Sequence, residues 1–169
     1  MRADVHVIVV MGVSAAGKTA VGEALARALG WRFVEGDDYH SAANKAKMHR
    51  GDALTDADRA PWLLALRDAI AHAIHEDDHI VLACSALKQQ YRVMLVPDDA
   101  PPGAVRFAFL NVPRDVLEQR ARHRHHPFAT PALLDSQLAT LEPPRDAIWL
   151  DGTKSIPEIV HSARAALAL

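Results

Sequence analysis

Val5-His6-Val7-Ile8-Val9-Val10-Met11-Gly12-Val13-Ser14-Ala15-Ala16-Gly17-Lys18-Thr19 is the stretch that decides how this 169-residue chain is read. Its first seven residues are nearly all apolar and rich in β-branched types, the pattern of a strand buried on both faces. Gly12 to Thr19 then satisfies every fixed position of the phosphate-binding loop G-x-x-x-x-G-K-[ST]. Val21, Leu25 and Leu29 follow at helical spacing, so a strand, a glycine-bounded loop and a helix succeed one another. In that order, successive backbone N–H groups and the positive end of the helix converge on a phosphate chain. Gly12, Val13, Ser14, Ala15, Ala16, Gly17, Lys18 and Thr19 are therefore the candidate nucleotide contacts, with Lys18 reaching the outer phosphates of a nucleoside triphosphate and the Thr19 hydroxyl ligating Mg²⁺.

Working outward, strand and helix signals alternate. Trp31 to Val34 reads as a second strand running into Gly36-Asp37-Asp38, and the polar stretch from His40 to Gly51 is expected to be helical in part. Asp58 reads as a helix cap with Pro61 in the first turn, ahead of Trp62, Leu63, Leu66, Ile70 and Ile74. Ile80 to Cys84 is a third strand followed by a helix over Ser85 to Leu95, and Val105 to Leu110 a fourth strand followed by an arginine-rich helix from Pro113. Pro127 and Pro131 break that helix, another spans Ala132 to Leu141, and Ile148 to Leu150 is a fifth strand. Ser155 and Glu158 form a capping box at the start of the last helix. This order predicts one α/β domain over residues 1–169, a five-stranded parallel sheet with helices on both faces and a small lid at about 120–131. Its site would lie at the carboxyl ends of the strands, where Ser14, Asp37, Ser85 and Asn111 fall.

A formal net charge of −2 gives no support for a nucleic-acid or membrane-surface partner. The single cysteine, Cys84, excludes an internal disulfide framework, ends an apolar run and reads as a core residue in a reducing compartment. No apolar stretch approaches the roughly 20 residues of a membrane span, and the first strand begins too early for a signal peptide. A cytoplasmic location is expected.

The phosphate loop alone does not separate kinases from GTPases, ATPases and motors. No Asn-Lys-x-Asp element is present to read guanine, and the third strand ends in Cys84-Ser85 without the aspartate that commonly helps hold Mg²⁺. An acid stands instead at the end of the second strand. Asp37 could orient the water shell of Mg²⁺ or accept the proton of an attacking hydroxyl. It could also be a turn residue beside Gly36, whereas Asp38 is expected to face solvent. Arg120 and Arg124, four residues apart, share a helix face leading into the proline-broken lid, with Arg122 turned away. Two guanidinium groups so placed suit closure over a transferring phosphoryl group. The histidines from His123 to His126 have no acidic or cysteine partner at ligand spacing and read as lid-tip residues. These features together describe a small-molecule kinase.

Further blocks carry a resemblance. Gly36-Asp37-Asp38-Tyr39-His40, Asn44, Lys47-Met48, Gly51, Leu54, Asp56, Asp58-Arg59 and Pro61-Trp62-Leu63 closely resemble the gluconate kinase (gluconokinase) family. So do Cys84-Ser85-Ala86-Leu87-Lys88 with Tyr91-Arg92, and Leu133-Leu134 through Ser136-Gln137 to Thr140-Leu141-Glu142. The resemblance implies a P-loop kinase fold of the nucleoside-monophosphate-kinase type, ATP-dependent phosphorylation of D-gluconate to 6-phospho-D-gluconate, and a homodimer. The chain departs from the family pattern at Ser14-Ala15-Ala16-Gly17, where Ser-Gly-Ser-Gly is common, and at His126-Pro127-Phe128, where histidine commonly precedes phenylalanine directly.

The expected roles follow. Lys18 holds the outer phosphates, Asp37 orients or deprotonates the primary hydroxyl, and Arg120 and Arg124 neutralise charge on the transferring group. Arg59, Lys88 and Arg92 are candidate partners of the substrate carboxylate, and His40, Lys47 and Ser85 of its hydroxyls. Lys88 and Arg92 could equally be an i,i+4 pair facing water, and Trp62 reads as core. A shikimate-type or nucleoside-monophosphate kinase is the alternative within the same architecture, and a nucleotide-binding regulatory protein that transfers to nothing is the alternative outside it.

Overall fold

The computed structural model describes residues 4–123 and 130–169. Arg124 and the His126-Pro127-Phe128 departure of the expected lid lie outside the described residues. The elements are β1 (Val7–Met11), α1 (Lys18–Leu29), β2 (Arg32–Glu35), a short 3₁₀ turn (Gly36–Tyr39), α2 (Ala42–His49), α3 (Asp56–His75), β3 (Ile80–Ala83), α4 (Gln89–Leu95), β4 (Val105–Asn111), α5 (Arg114–His123), α6 (Pro131–Thr140), β5 (Ile148–Asp151) and α7 (Ile156–Leu167).

The five strands form one parallel sheet in the order β2-β3-β1-β4-β5. β1 lies at its centre with all of Val7 to Met11 fully buried, which is why that segment is apolar without alternation. α1 packs with α7, and α3 packs with α4, so the sheet is covered by helices in the doubly wound manner expected. From β1 the chain crosses towards β2 at one edge, and from β3 it crosses towards β4 and the other edge. The neighbours β1 and β3 therefore flank the point where the winding reverses, and a crevice opens at their carboxyl ends.

Two local readings change. Thr55, not Asp58, caps α3: its hydroxyl accepts the Asp58 amide at 3.0 Å while Asp58 Oδ2 accepts the Thr55 amide at 2.9 Å. Threonine and aspartate offer the same capping oxygen three residues apart, and the reciprocal box selects the earlier start. Pro61 consequently lies inside the helix rather than in its first turn.

The second change is at Ser85 to Lys88, which is not helical; α4 starts at Gln89. Ala86 adopts φ +46°, left-handed backbone that interrupts a right-handed helix. Arg92 holds this turn from within. Its guanidinium donates to the carbonyls of Ala86 at 2.7 Å, Leu87 at 3.1 Å and Glu142 at 2.9 Å, and the residue is 4 % exposed. The i,i+4 spacing of Lys88 and Arg92 therefore does not describe a shared water-facing helix surface. Arg92 instead satisfies carbonyls that the turn leaves unpaired.

The capping box at Ser155 and Glu158 is present, with both reciprocal bonds. Cys84 is buried, and burial pushes its thiol up to about 12, which fits a small core residue and not a nucleophile. No helix among the described residues is long and apolar enough to cross a membrane.

Replacing Arg92 with methionine keeps the stem and strands the carbonyls, so unfolding in urea should show a loss of about 3 kcal/mol. A change within experimental error would mean that these bonds do not hold the turn.

Candidate active site

A cleft of about 640 Å³ opens at the carboxyl ends of the strands. On its phosphate-loop side it is bordered by Ser14, Ala15, Gly17, Lys18 and Thr19, while Gly12, Val13 and Ala16 form the buried underside. Gly17, the cap residue of α1, has φ +99°, and Ala15 has φ +67°. The loop thus turns through left-handed backbone at Ala15 and Gly17, both positions where the family pattern commonly has glycine. Lys18 Nζ donates to the Val13 carbonyl at 2.9 Å, folded back across its own loop. The Ser14 amide donates to Gln137 Oε1 of α6 at 2.6 Å. That carboxamide oxygen stands in for an acceptor oxygen of a phosphate, so the Ser14 N–H is aimed as an anion cradle requires.

Beside the loop stand two carboxylates, one of which the sequence reading missed. Thr19 Oγ1 donates to Glu35 Oε2 at 2.5 Å, and Glu35 Oε1 accepts the Asp37 amide at 3.4 Å. Burial holds the Glu35 carboxyl above its ordinary value; the Thr19 bond opposes the shift and the Asp37 charge adds to it. Glu35, Asp37 and Asp38 all line the cleft, Asp38 as an exposed residue at its edge. A hydroxyl and two carboxylates are hard oxygen donors of the kind Mg²⁺ takes, usually with several waters retained, so the donor set fits that ion. The signal for Glu35 was its place at the end of β2, two residues before Asp37; attention to Gly36-Asp37-Asp38 as a turn passed over it.

The far wall of the cleft suits a polar acceptor. His40 stacks on Trp62, ring centroids 4.1 Å apart at 16°, and the Trp62 indole donates to the Gly36 carbonyl at 2.8 Å. Trp62 is core, as read, but its buried ring also borders the cleft. His40 Nδ1 is buried without a hydrogen-bond partner among the described residues, and burial lowers the ring to about 4. His40 also lines the cleft, and a neutral imidazole there can offer a ring nitrogen to a hydroxyl. Arg59, 8 % exposed, lines the same wall and donates to the Leu54 carbonyl at 2.7 Å and to the Tyr91 hydroxyl at 3.1 Å. Tyr91 in turn donates to Asp56, which also pairs with Lys88 at 3.0 Å. Ser85 borders the cleft as well.

The structure separates the remaining cations from this cleft. Lys47 binds Asp58 Oδ2 at 2.8 Å, Lys88 binds Asp56, and Arg92 serves the turn before α4; none of the three is in the cleft lining. Arg120 also lies outside the lining. It donates to the carbonyls of Ala15 at 3.4 Å, Ala16 at 3.2 Å and Gly152 at 2.7 Å, fastening the phosphate loop to the turn after β5. Arg120, expected over the phosphates, thus grips backbone carbonyls of the loop that face α5. Arg124 lies outside the described residues.

Comparison with known proteins agrees with this geometry. A family model described as an AAA domain matches residues 7–144. A probable gluconokinase of Mus musculus is 40 % identical over 95 % of this chain and 97 % of its own length. The gluconokinase of Gluconobacter oxydans is 45 % identical over 90 % of this chain and 85 % of its own length. Among solved structures, a gluconokinase from Sinorhizobium meliloti superposes with a TM-score of 0.83 at 44 % identity, covering 95 % of this chain and 90 % of the other. With an anion cradle, paired carboxylates and a polar acceptor wall in one cleft, and with relatives of this identity over nearly full length, the chain belongs to the gluconokinase family of P-loop kinases.

Proposed function

We propose that the protein transfers the terminal phosphoryl group of ATP to the primary hydroxyl of D-gluconate, giving 6-phospho-D-gluconate. The observation that carries this reading is the juxtaposition, across one cleft, of the phosphate loop and Asp37 with Arg59 and His40. One end accommodates a phosphate chain, the other an acidic polyol.

The residues divide the work. Lys18 and the amides from Ser14 to Thr19 bind the outer phosphates, and Gln137 gives up the Ser14 amide as they enter. Thr19, Glu35 and Asp37 provide the oxygen set for Mg²⁺, with the carboxylates acting through its water shell. When bound, Mg²⁺ offsets negative charge on the phosphate oxygens. Asp37 also orients the acceptor hydroxyl and takes up its proton. Arg59 binds the substrate carboxylate, held in place by the Tyr91–Asp56–Lys88 chain, while His40 and Ser85 engage hydroxyls. Arg120 keeps the loop in shape, and Arg124 closes from the lid. Lys47 secures the start of α3 through Asp58. A cytoplasmic homodimer without nucleic-acid or membrane partners completes the proposal, on the strength of the family resemblance and the near-neutral charge.

The direct test is ADP release from Mg·ATP with D-gluconate, shikimate, AMP or a neutral hexose as acceptor. Gluconate alone should stimulate, and Lys18→Ala should lower turnover by about 10²-fold or more without unfolding the protein. Stimulation by another acceptor, or near-normal turnover in a folded Lys18→Ala variant, would overturn the assignment. Glu35→Gln should raise the Mg²⁺ concentration needed for half-maximal rate by about tenfold, as loss of an outer-shell oxygen does; an unchanged Mg²⁺ dependence would remove Glu35 from the ion's surroundings.

His40 gives a pH signature. Its folded value of about 4 lies below the ordinary 6.5, so between these limits the unfolded chain binds more protons than the folded one. Stability from this residue is therefore complete above about pH 6.5 and lost as pH falls towards about 4. Urea midpoints should decline over that window and decline less in His40→Phe; parallel pH profiles for the two proteins would contradict the burial argument.

A further inference from the structure

At the opposite end of the sheet from the phosphate loop, three side chains meet that the kinase chemistry does not use. We propose that His6, Asp77 and His79 form a binding site for a divalent ion of the zinc class. Their ligand atoms all lie within 4.8 Å of one another. Two pieces of chain deliver them, the segment before β1 and the turn between α3 and β3. His6 directly precedes β1 and His79 directly precedes β3, and the pairing of Val7 with Ile80 sets the two histidines side by side at the strands' amino ends. Asp77 comes from the turn after α3.

The hydrogen bonding favours a cation between these groups. His6 Nδ1 lies 3.1 Å from the Asp4 carbonyl oxygen, which can only accept, so Nδ1 carries a proton. His6 Nε2 faces Asp77 Oδ1, also at 3.1 Å. Nε2 and Oδ1 thus face one another as two ligand atoms of one ion would. Histidine ligands characteristically donate their other ring N–H to a carbonyl or carboxylate, as His6 does to Asp4. The 3.1 Å separation also suits two adjacent ligands on one ion with bonds of about 2.0–2.2 Å.

Asp78 N bonds to the Ala73 carbonyl and Asp77 N to the Ile74 carbonyl, closing α3 with Asp77 at φ +54°, in the position where glycine is preferred. Its carboxylate is the one that meets His6. The neighbouring Asp78 is engaged by Arg32 at 2.6 Å. His79 stacks on His6 with ring centroids 4.9 Å apart and is flanked by Trp31 at 5.0 Å, so the half-buried ring is held beside the other two groups. Two imidazoles and one carboxylate suit Zn²⁺ and its transition-metal neighbours, whereas Mg²⁺ and Ca²⁺ take oxygen ligands. The five residues of β1 separate this site from the loop by roughly 17 Å. An ion here would tie β1, β3 and the end of α3 together away from the transfer chemistry, and would stabilise the fold by binding only its native arrangement.

The experiment is a Zn²⁺ titration of tag-free, metal-stripped protein against a chromophoric chelator with millimolar Mg²⁺ present, beside Asp77→Asn, His79→Gln and Glu35→Gln/Asp37→Asn. Asparagine tolerates left-handed backbone, so Asp77→Asn preserves the turn, and unchanged gluconate-stimulated turnover in it and in His79→Gln confirms that both fold. One equivalent of Zn²⁺ should bind the parent protein and the Glu35/Asp37 variant alike, weaken at least tenfold in Asp77→Asn and in His79→Gln, and raise the thermal midpoint of the parent more than theirs. No stoichiometric binding, or binding indifferent to Asp77 and His79, would overturn the proposal.

Discussion

The parallel register that sets Glu35 beside Ala83 and Ala83 beside Val10 is the constraint on which the cleft depends. It brings three strands to their ends in one row, so that the phosphate loop, Ser85 and Asp37 leave the sheet together. The row is tightly fitted. A Cβ at Gly36 would stand 2.3 Å from the Ala83 carbonyl oxygen, so only glycine lets β2 turn across the end of β3 and carry Asp37 towards the loop. The Trp62 indole then pins the Gly36 carbonyl from α3, and the same ring supports His40. One close backbone approach thereby couples the carboxylates near Thr19 to the wall that faces the acceptor.

Charge in this molecule is allotted by what the backbone leaves unsatisfied. Arg92 and Arg120 look alike in sequence to residues that would bind substrate or phosphate, yet both spend their donors on carbonyls of irregular segments. Buried carbonyls without helix or sheet partners are costly, and a planar guanidinium can serve several at once. Arg59 is intermediate. It satisfies the Leu54 carbonyl and the Tyr91 hydroxyl and still borders the cleft, which is the placement expected of a cation held ready for an anionic group.

Much of this was legible in the residues. The run from Val5 to Thr19 specified a buried strand, an anion-binding turn and a helix, and the alternation beyond it specified the parallel sheet, because each depends on local pattern alone. Asp37, Arg59, His40 and Ser85 are brought together by the fold as the sequence blocks suggested. What sequence could not separate were groups whose role is set by partners distant in the chain. Arg92 is fixed by Glu142, Arg120 by Gly152 and Ala16, and Glu35 by Thr19. The start of α3 was misplaced for a different reason: Thr55 and Asp58 are both capping residues, and only their reciprocal bonding decides between them.

The central claim is that the cleft presents a primary hydroxyl of an acidic sugar, beside Asp37, to the phosphate chain held by Lys18. The most direct measurement is the proton-coupled ³¹P spectrum of the product formed from ATP and D-gluconate. The account predicts a phosphomonoester whose phosphorus couples to two methylene protons, the signature of transfer to the terminal carbon. Coupling to a single carbinol proton would mean that the acceptor lies otherwise in the cleft, and the roles given to Asp37, Arg59 and His40 would not stand.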